Sequence, residues 1–234
     1  MPAIRSANGV KDAGPLLAAA MPEVRARLLA EAKPLLVPRG GTVLAQDATA
    51  DFLYVLTQGS IGLSTAEEGA SGTMVEILAP GEAFVIAAVM LRMPSPVTAA
   101  ALAPSRLIAI EAERLRAAAA GDPGLMRAAM EQMARQWRLM IDQVVDLKTR
   151  DATQRAARFL ARRLPAARGP VDLPEPRAAI AARLGMTPES LSRALHGLEA
   201  AGLLRLHGRR VDVPDRAALL RVTLPRGETR VRSA

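Results

Sequence analysis

The sequence predicts an α+β chain with three parts in order: a β-roll of the jelly-roll type, one long helix, and a small module of two short helices followed by a hairpin. Three observations predict it. Between residues 35 and 110, short apolar segments alternate with glycine and proline breakers, the texture of a sandwich, roll or small barrel. Beyond residue 122, apolar side chains recur at alternating steps of four and three, which is a helical seam. The positive charge sits in the last third. Residues 1–150 carry fifteen basic and fifteen acidic side chains, whereas residues 151–234 carry sixteen arginines, no lysine and eight acids. The whole formal charge of +8 therefore belongs to the final module, and such asymmetry points to a polyanionic partner.

Composition narrows the function classes. Of 234 residues, 50% are hydrophobic and 23% charged, a balance that builds a folded core. The absence of cysteine excludes disulfides, thiolate-held iron–sulfur clusters, zinc ribbons and a cysteine nucleophile. His196 and His207 are the only histidines. An enzyme built on the roll would need clustered histidines and carboxylates, and residues 35–110 hold no histidine. The expectation is a protein that is not an enzyme, with no catalytic residue and no metal ligand. The longest aliphatic run, Ala83 to Leu91, is too short to span a bilayer. The start, Met1-Pro2-Ala3-Ile4-Arg5-Ser6, lacks the apolar core of a signal peptide. A cytoplasmic protein with no membrane partner is expected.

Residues 1–30 are Ala-rich and helix-prone, broken by Pro15 and Pro22. Strands are expected at Leu35–Val37, Thr42–Leu44, Phe52–Leu56, Ile61–Leu63, Met74–Leu78 and Arg106–Ile110. Their breakers are Pro38–Gly41, Gln58-Gly59-Ser60, Gly69–Gly72 and Pro80-Gly81. Asp122-Pro123 then reads as N-cap and first helical position. Met126, Met130, Met133, Trp137, Met140, Val144 and Leu147 follow, spaced over three heptads. A stripe so narrow suits a parallel two-stranded dimer interface, because a helix lying only on its own core shows a broader apolar face. The expected divisions are residues 1–121, a sensory roll with flanking helices; 122–150, a dimerisation helix; and 151–234, the charged module. A further helix runs from Thr149 to near Leu164-Pro165, and Val171–Pro174 leads on from it.

Arg177 to Gly202 reads helix, tight turn, helix. The first helix carries Ala178, Ile180, Ala181 and Leu184, and Gly185 closes it. Thr187 caps the second, Pro188 opens it, and Leu191, Ala194, Leu195 and Leu198 form its buried stripe. The opposite face presents Glu189, Ser190, Ser192, Arg193 and His196. Leu203–Leu206 and Val211–Val213 flank the basic tip His207-Gly208-Arg209-Arg210. This is the pattern of a winged helix-turn-helix, whose second helix enters the DNA major groove by its N-terminal end. Arg193 is suited to guanine, Glu189 to cytosine and Ser192 to either. Arg205, Arg209 and Arg210 are suited to phosphates. His207 shapes the wing turn, and His196 either touches a phosphate or fills the helix face. The basic tail Arg221 to Ala234 reads as a phosphate-seeking arm.

The order of parts over residues 30–215, with the segment Ile180–Arg193, resembles the CRP/FNR family of bacterial transcription regulators. The resemblance implies a cyclic-nucleotide-binding-like roll, a homodimer on double-stranded DNA, and RNA polymerase as a further partner. Glu189, Ser192 and Arg193 match the Glu-x-x-Ser-Arg pattern that, in the FNR-like branch, goes with TTGAT-type half-sites in an inverted repeat. Cyclic-AMP-binding members carry a glutamate for the ribose and an arginine for the phosphate. Here Ala87, after Phe84, and Val97, before Thr98, stand at those places, and an uncompensated phosphodiester charge is costly to bury. No tight cyclic AMP binding is expected, and no iron–sulfur cluster. Phe84, Ala87, Val97 and Thr98 are taken as the effector pocket. The apolar stretch Phe84 to Pro96 resembles the nitric-oxide-responsive, DNR-type branch, in which haem is implicated, although a histidine-free roll leaves only Met, Tyr54, the N-terminus or a histidine of the DNA module as ligand. Two readings stand beside the effector-controlled regulator: a haem-dependent gas sensor, and an architectural DNA binder with weak sequence preference.

Overall fold

The structure is a computed structural model and describes residues 14–65, 73–164 and 170–223. The expected helical stretch before residue 14, the Gly69–Gly72 breaker, Pro165 and the tail beyond residue 223 lie outside the described residues. The chain forms two compact units, residues 1–138 and 139–234.

In the first unit, α1 (Gly14–Ala18) and α2 (Pro22–Ala30) precede β1 (Lys33–Val37), β2 (Thr42–Leu44), β3 (Phe52–Ser64), β4 (Met74–Leu78) and β5 (Ala83–Phe84). Then come α3 (Ile86–Leu91), β6 (Thr98–Glu111), α4 (Ala112–Gly121) and α5 (Pro123–Thr149). The strands make one antiparallel sheet in the order β1-β6-β3-β4, with β2 also on β6 and β5 on β3. Leu53, Val55, Leu56, Ile61, Phe84, Leu107 and Ile110 fill its core together with Leu16, Leu28 and Leu125.

Two expected strands, Phe52–Leu56 and Ile61–Leu63, are one continuous strand, and Gln58-Gly59-Ser60 is a bulge rather than a turn. The β3–β6 register shifts three times between Leu56 and Ile61. Gly59 has φ +92°, and a Cβ there would stand 2.4 Å from the Pro104 carbonyl and the Ser105 hydroxyl; only glycine fits. The backbone opened by the bulge is satisfied inside the core. Ser60 N donates to Ser105 Oγ at 3.1 Å, and Ser105 Oγ donates to Ala103 O at 2.8 Å. Arg106–Ile110 likewise proves to be the end of a longer strand. Its first half is alanine-rich, and neighbouring strands rather than propensity hold it extended.

The sequence reading passed over α3 and α4. Helix α3 is bounded by two left-handed non-glycine residues, Val85 and Arg92, each with φ +56°; such positions cost about 1–3 kcal/mol. Its last turn is closed by Arg116, which donates to Val89 O at 2.6 Å. Helix α5 starts where Asp122 predicts: Asp122 Oδ1 accepts from Leu125 N at 3.0 Å. Leu125, Ala128, Ala129 and Gln132 are its buried face. Gln132 and Gln136 both donate to Ala83 O, at 2.5 and 3.3 Å.

The second unit takes the end of α5, which contributes to both units. It continues with α6 (Ala152–Arg163), β7 (Val171–Asp172), α7 (Arg177–Arg183), α8 (Pro188–Ala200), β8 (Arg205–His207), β9 (Arg210–Asp212) and α9 (Arg216–Val222). Asp151 and Gln154 form a reciprocal capping box at the start of α6. Arginines of α6 bind back to α5: Arg162 to Asp142 at 2.7 Å and Arg158 to Asp146 at 3.1 Å. Strand β7 joins the hairpin as a third strand, in the order β7-β9-β8.

Candidate nucleic-acid interface

Helix α8 is amphipathic with a clean division of labour. Leu191, Ala194, Leu195 and Leu198 are buried, while Glu189, Arg193 and His196 are exposed and Ser190 and Ser192 half-buried. Thr187 is the N-cap, its Oγ1 accepting from Ser190 N at 3.2 Å, and Pro188 follows at the first helical position. In α7 the buried residues are Ala179, Ile180 and Ala181, and Ala178 is exposed. Gly185 makes the turn between the two helices with φ +62°.

The polar groups at the N-terminal end of α8 touch one another. Arg193 Nη2 donates to Ser190 Oγ at 3.1 Å, and Thr187 Oγ1 donates to the same oxygen at 3.2 Å. The Glu189 carboxyl is held below its ordinary range first by its own backbone N–H, and the Arg193 charge adds to this. It therefore stays ionised as an acceptor. His196 Nδ1 lies 2.8 Å from Ser192 O, one turn back on its own helix.

The wing turn is the expected one, with Gly208 at φ +62°. Its arginines also have partners within the chain. Arg209 donates to Pro174 O at 3.2 Å, and Arg210 pairs with Asp172 at 3.3 Å; both side chains remain exposed. His207 lies 3.4 Å from Asp212 across the hairpin. Sequence reasoning missed Arg177, whose Nη2 donates to Gly208 O at 3.0 Å. Only the fold brings that residue to the wing tip, 31 positions away.

Along α5, Met130 and Trp137 are 65% and 67% exposed, and Met140, Val144 and Leu147 are exposed as well. Met126 and Met133 differ from this part of the expected stripe: they are half-buried against the chain's own core. Ile141 and Val145, left out of the heptad reading, are exposed beside it. Leu147 has a neighbour in its own chain, since a Cβ on Gly185 would meet Leu147 Cδ2 at 2.5 Å.

The four expected effector residues differ in exposure and surroundings. Phe84 is 1% exposed and stacks on Tyr54 at 5.4 Å in the core, while Ala87 is exposed on α3. Val97 and Thr98 are half-buried, and Thr98 Oγ1 accepts from Gln46 N at 3.0 Å. A cavity of about 530 Å3 lies between the start of β3, the C-terminal end of α3 and the start of α4, and Asp51, Phe52, Arg92, Met93, Glu113 and Arg116 are on its wall. Among the described residues no three His, Cys, Asp or Glu side chains gather to hold a metal, and no helix is long and apolar enough to cross a membrane.

Comparison with known proteins agrees with this geometry. The family model of the cyclic nucleotide-binding domain matches residues 34–122, and that of the Crp-like helix-turn-helix domain matches residues 154–222. The chain is 25% identical over 208 residues to the CRP-like cAMP-activated global transcriptional regulator of Mycobacterium tuberculosis, covering 86% of this chain and 92% of the relative. FixK2 from Bradyrhizobium japonicum has the same fold at 24% identity and a TM-score of 0.76, over 82% of this chain and 98% of its own. The c-di-GMP responsive global regulator CLP of Xanthomonas campestris does so at 22% identity and a TM-score of 0.66, again over 82% and 98%. A roll of the cyclic-nucleotide-binding type followed by a winged helix-turn-helix makes this chain a member of the CRP/FNR family of DNA-binding transcription regulators.

Proposed function

We propose that the chain is a homodimeric, sequence-specific regulator that reads a TTGAT-like inverted repeat and is controlled through its roll by a small effector other than cyclic AMP. The observation that carries the reading is the face of α8. Glu189, Ser192 and Arg193 stand clear of a buried leucine stripe at the capped, N-terminal end of the helix, the end that a helix-turn-helix inserts into the major groove. Homodimerisation is supported by Met130, Trp137 and Val144, large apolar groups that α5 leaves in water. A twofold dimer presents two reading helices to half-sites about 34 Å apart. RNA polymerase is the partner once DNA is bound, the cytoplasm is the compartment, and the protein acts by binding rather than by catalysis.

Two proteins of this fold are named for different nucleotides, cAMP in one and c-di-GMP in the other, so the fold alone does not choose an effector. Ala87 and Val97 offer no charge to a phosphodiester. Haem is not favoured as that effector. Tyr54 is stacked inside the core, and Met93 is the sole thioether, with no imidazole, on the wall of the 530 Å3 cavity.

The test is a titration of the full chain with a duplex carrying the inverted repeat, beside one with a single scrambled half-site, at one stated salt concentration. Tight binding to the first and a loss of at least about tenfold on the second is the expected result. Equal affinity for both would make the protein an architectural binder. Sedimentation of Trp137→Glu, expected to be monomeric with a folded circular-dichroism spectrum, tests the dimer.

A further inference from the structure

We infer that Ser190 is a positioning residue that sets the specificity of Arg193 by holding its guanidinium in place before DNA arrives. The inference rests on the reading of α8 given above. An exposed arginine has several rotatable bonds, and ordering it at an interface costs part of the affinity that its contacts bring. In this chain that ordering is built into the first turn of α8. Ser190 Oγ accepts from Arg193 Nη2 at 3.1 Å and from Thr187 Oγ1 at 3.2 Å, which uses both lone pairs of one hydroxyl. Thr187 is in turn fixed as the helix cap by Ser190 N, at 3.2 Å. The serine thus joins the rigid cap to the mobile arginine.

The bond takes one of the two Nη2 protons. The other, with a proton on Nη1, leaves a two-pronged fork for guanine O6 and N7. Glu189 lies beside the same arginine and is kept ionised, so its charge adds to the bias on where the guanidinium rests. Ser190 acts through Arg193 rather than by reading a base itself.

The experiment selects binding sites from a randomised duplex library with the full-length protein, then measures affinities on the selected site and its single-base variants. Wild type, Ser190→Ala, Ser190→Thr and Arg193→Ala are compared. Alanine suits a helix interior at least as well as serine, so Ser190→Ala keeps the fold, and unchanged thermal melting checks this. The expected result is that Ser190→Ala weakens discrimination at the same base pair that Arg193→Ala relaxes, by about two- to tenfold, while affinity for unrelated duplex is unchanged. Ser190→Thr, which keeps the hydroxyl, restores it. An unaltered preference in Ser190→Ala overturns the inference, and so does a preference relaxed at a different position. An equal loss on every duplex, or no rescue by threonine, also overturns it, the former marking a phosphate contact. If wild type selects no motif at all, the failure lies with the sequence-reading function and not with Ser190 alone.

Discussion

Helix α8 and the β5–α3 segment of the roll are both places where sequence suggested a functional site, and they divide their labour differently. In α8 the residues that fold the protein and those proposed to meet a partner occupy opposite faces: Leu191, Ala194, Leu195 and Leu198 inside, Glu189 and Arg193 outside. Around β5 and α3 the same stretch supplies both. Phe84 is a central core side chain, Ala83 O anchors Gln132 of α5, and Val85 and Arg92 hold strained backbone at either end of a six-residue helix. A site on the exposed face of an amphipathic helix can be altered without touching the fold. A site woven into the core of a roll cannot.

The largest expected effect tests that entanglement. Phe84→Ala removes a buried ring and its stack on Tyr54, and should lower the stability of the roll by about 3–5 kcal/mol. Urea unfolding followed by circular dichroism measures it. A loss below about 1 kcal/mol would mean that the ring lines a space able to collapse or to hold a ligand, and Phe84 would return to the effector pocket.

The contrast also explains what was legible in the sequence. The cap, the proline, the leucine stripe and the polar face of α8 are all local signals within fourteen residues, and each proved right. The Asp122-Pro123 start of α5 was equally local. The continuity of β3 through Gly59 depends instead on Ser60 and Ser105, 45 positions apart, so Gln58-Gly59-Ser60 read as a turn. Helix α4 lay in an alanine-rich stretch with no cap to announce it. The four effector residues were neighbours by resemblance, yet Phe84 turns inward and Ala87 outward across a left-handed Val85 that no sequence pattern signals. Leu147 kept the heptad spacing and still found Gly185 of its own chain beside it, because periodicity gives a face and not its occupant.

A smaller effect should separate reading from folding in α8. Arg193→Ala is expected to change stability by less than about 0.5 kcal/mol, since the side chain is exposed. It should cost about 1–3 kcal/mol of discrimination at a single base pair, leaving affinity for random duplex nearly unchanged. Competition binding with base-substituted operators measures the second quantity. A uniform loss across all sequences would place Arg193 on the phosphates and erase the difference between the two faces that α8 is taken to show.

The smallest effect concerns the start of α5, a polar site fully buried by design. Asp122 is 0% exposed; its Oδ1 accepts from Leu125 N and its Oδ2 from Met21 N at 2.7 Å. The Leu125 N–H first, and then that of Met21, hold the carboxyl below its ordinary range, because both bonds favour the charged form. A carboxyl with a lower value in the folded chain than in the unfolded one stabilises folding in full above its unfolded value. That contribution is lost as pH falls through the interval down to the folded value. Asp122→Asn keeps one oxygen to cap Leu125 N but sets an amide NH2 where Oδ2 accepts from Met21 N, so it should be less stable than wild type at pH 7. The gap should close on acidification through the carboxylate range, as wild type takes up the proton the variant never needed. Parallel urea titrations from neutral to acid pH read it directly. A gap that persists when the wild-type carboxyl is protonated would assign Asp122 to packing, and the charge at the helix start would carry no part of the stability.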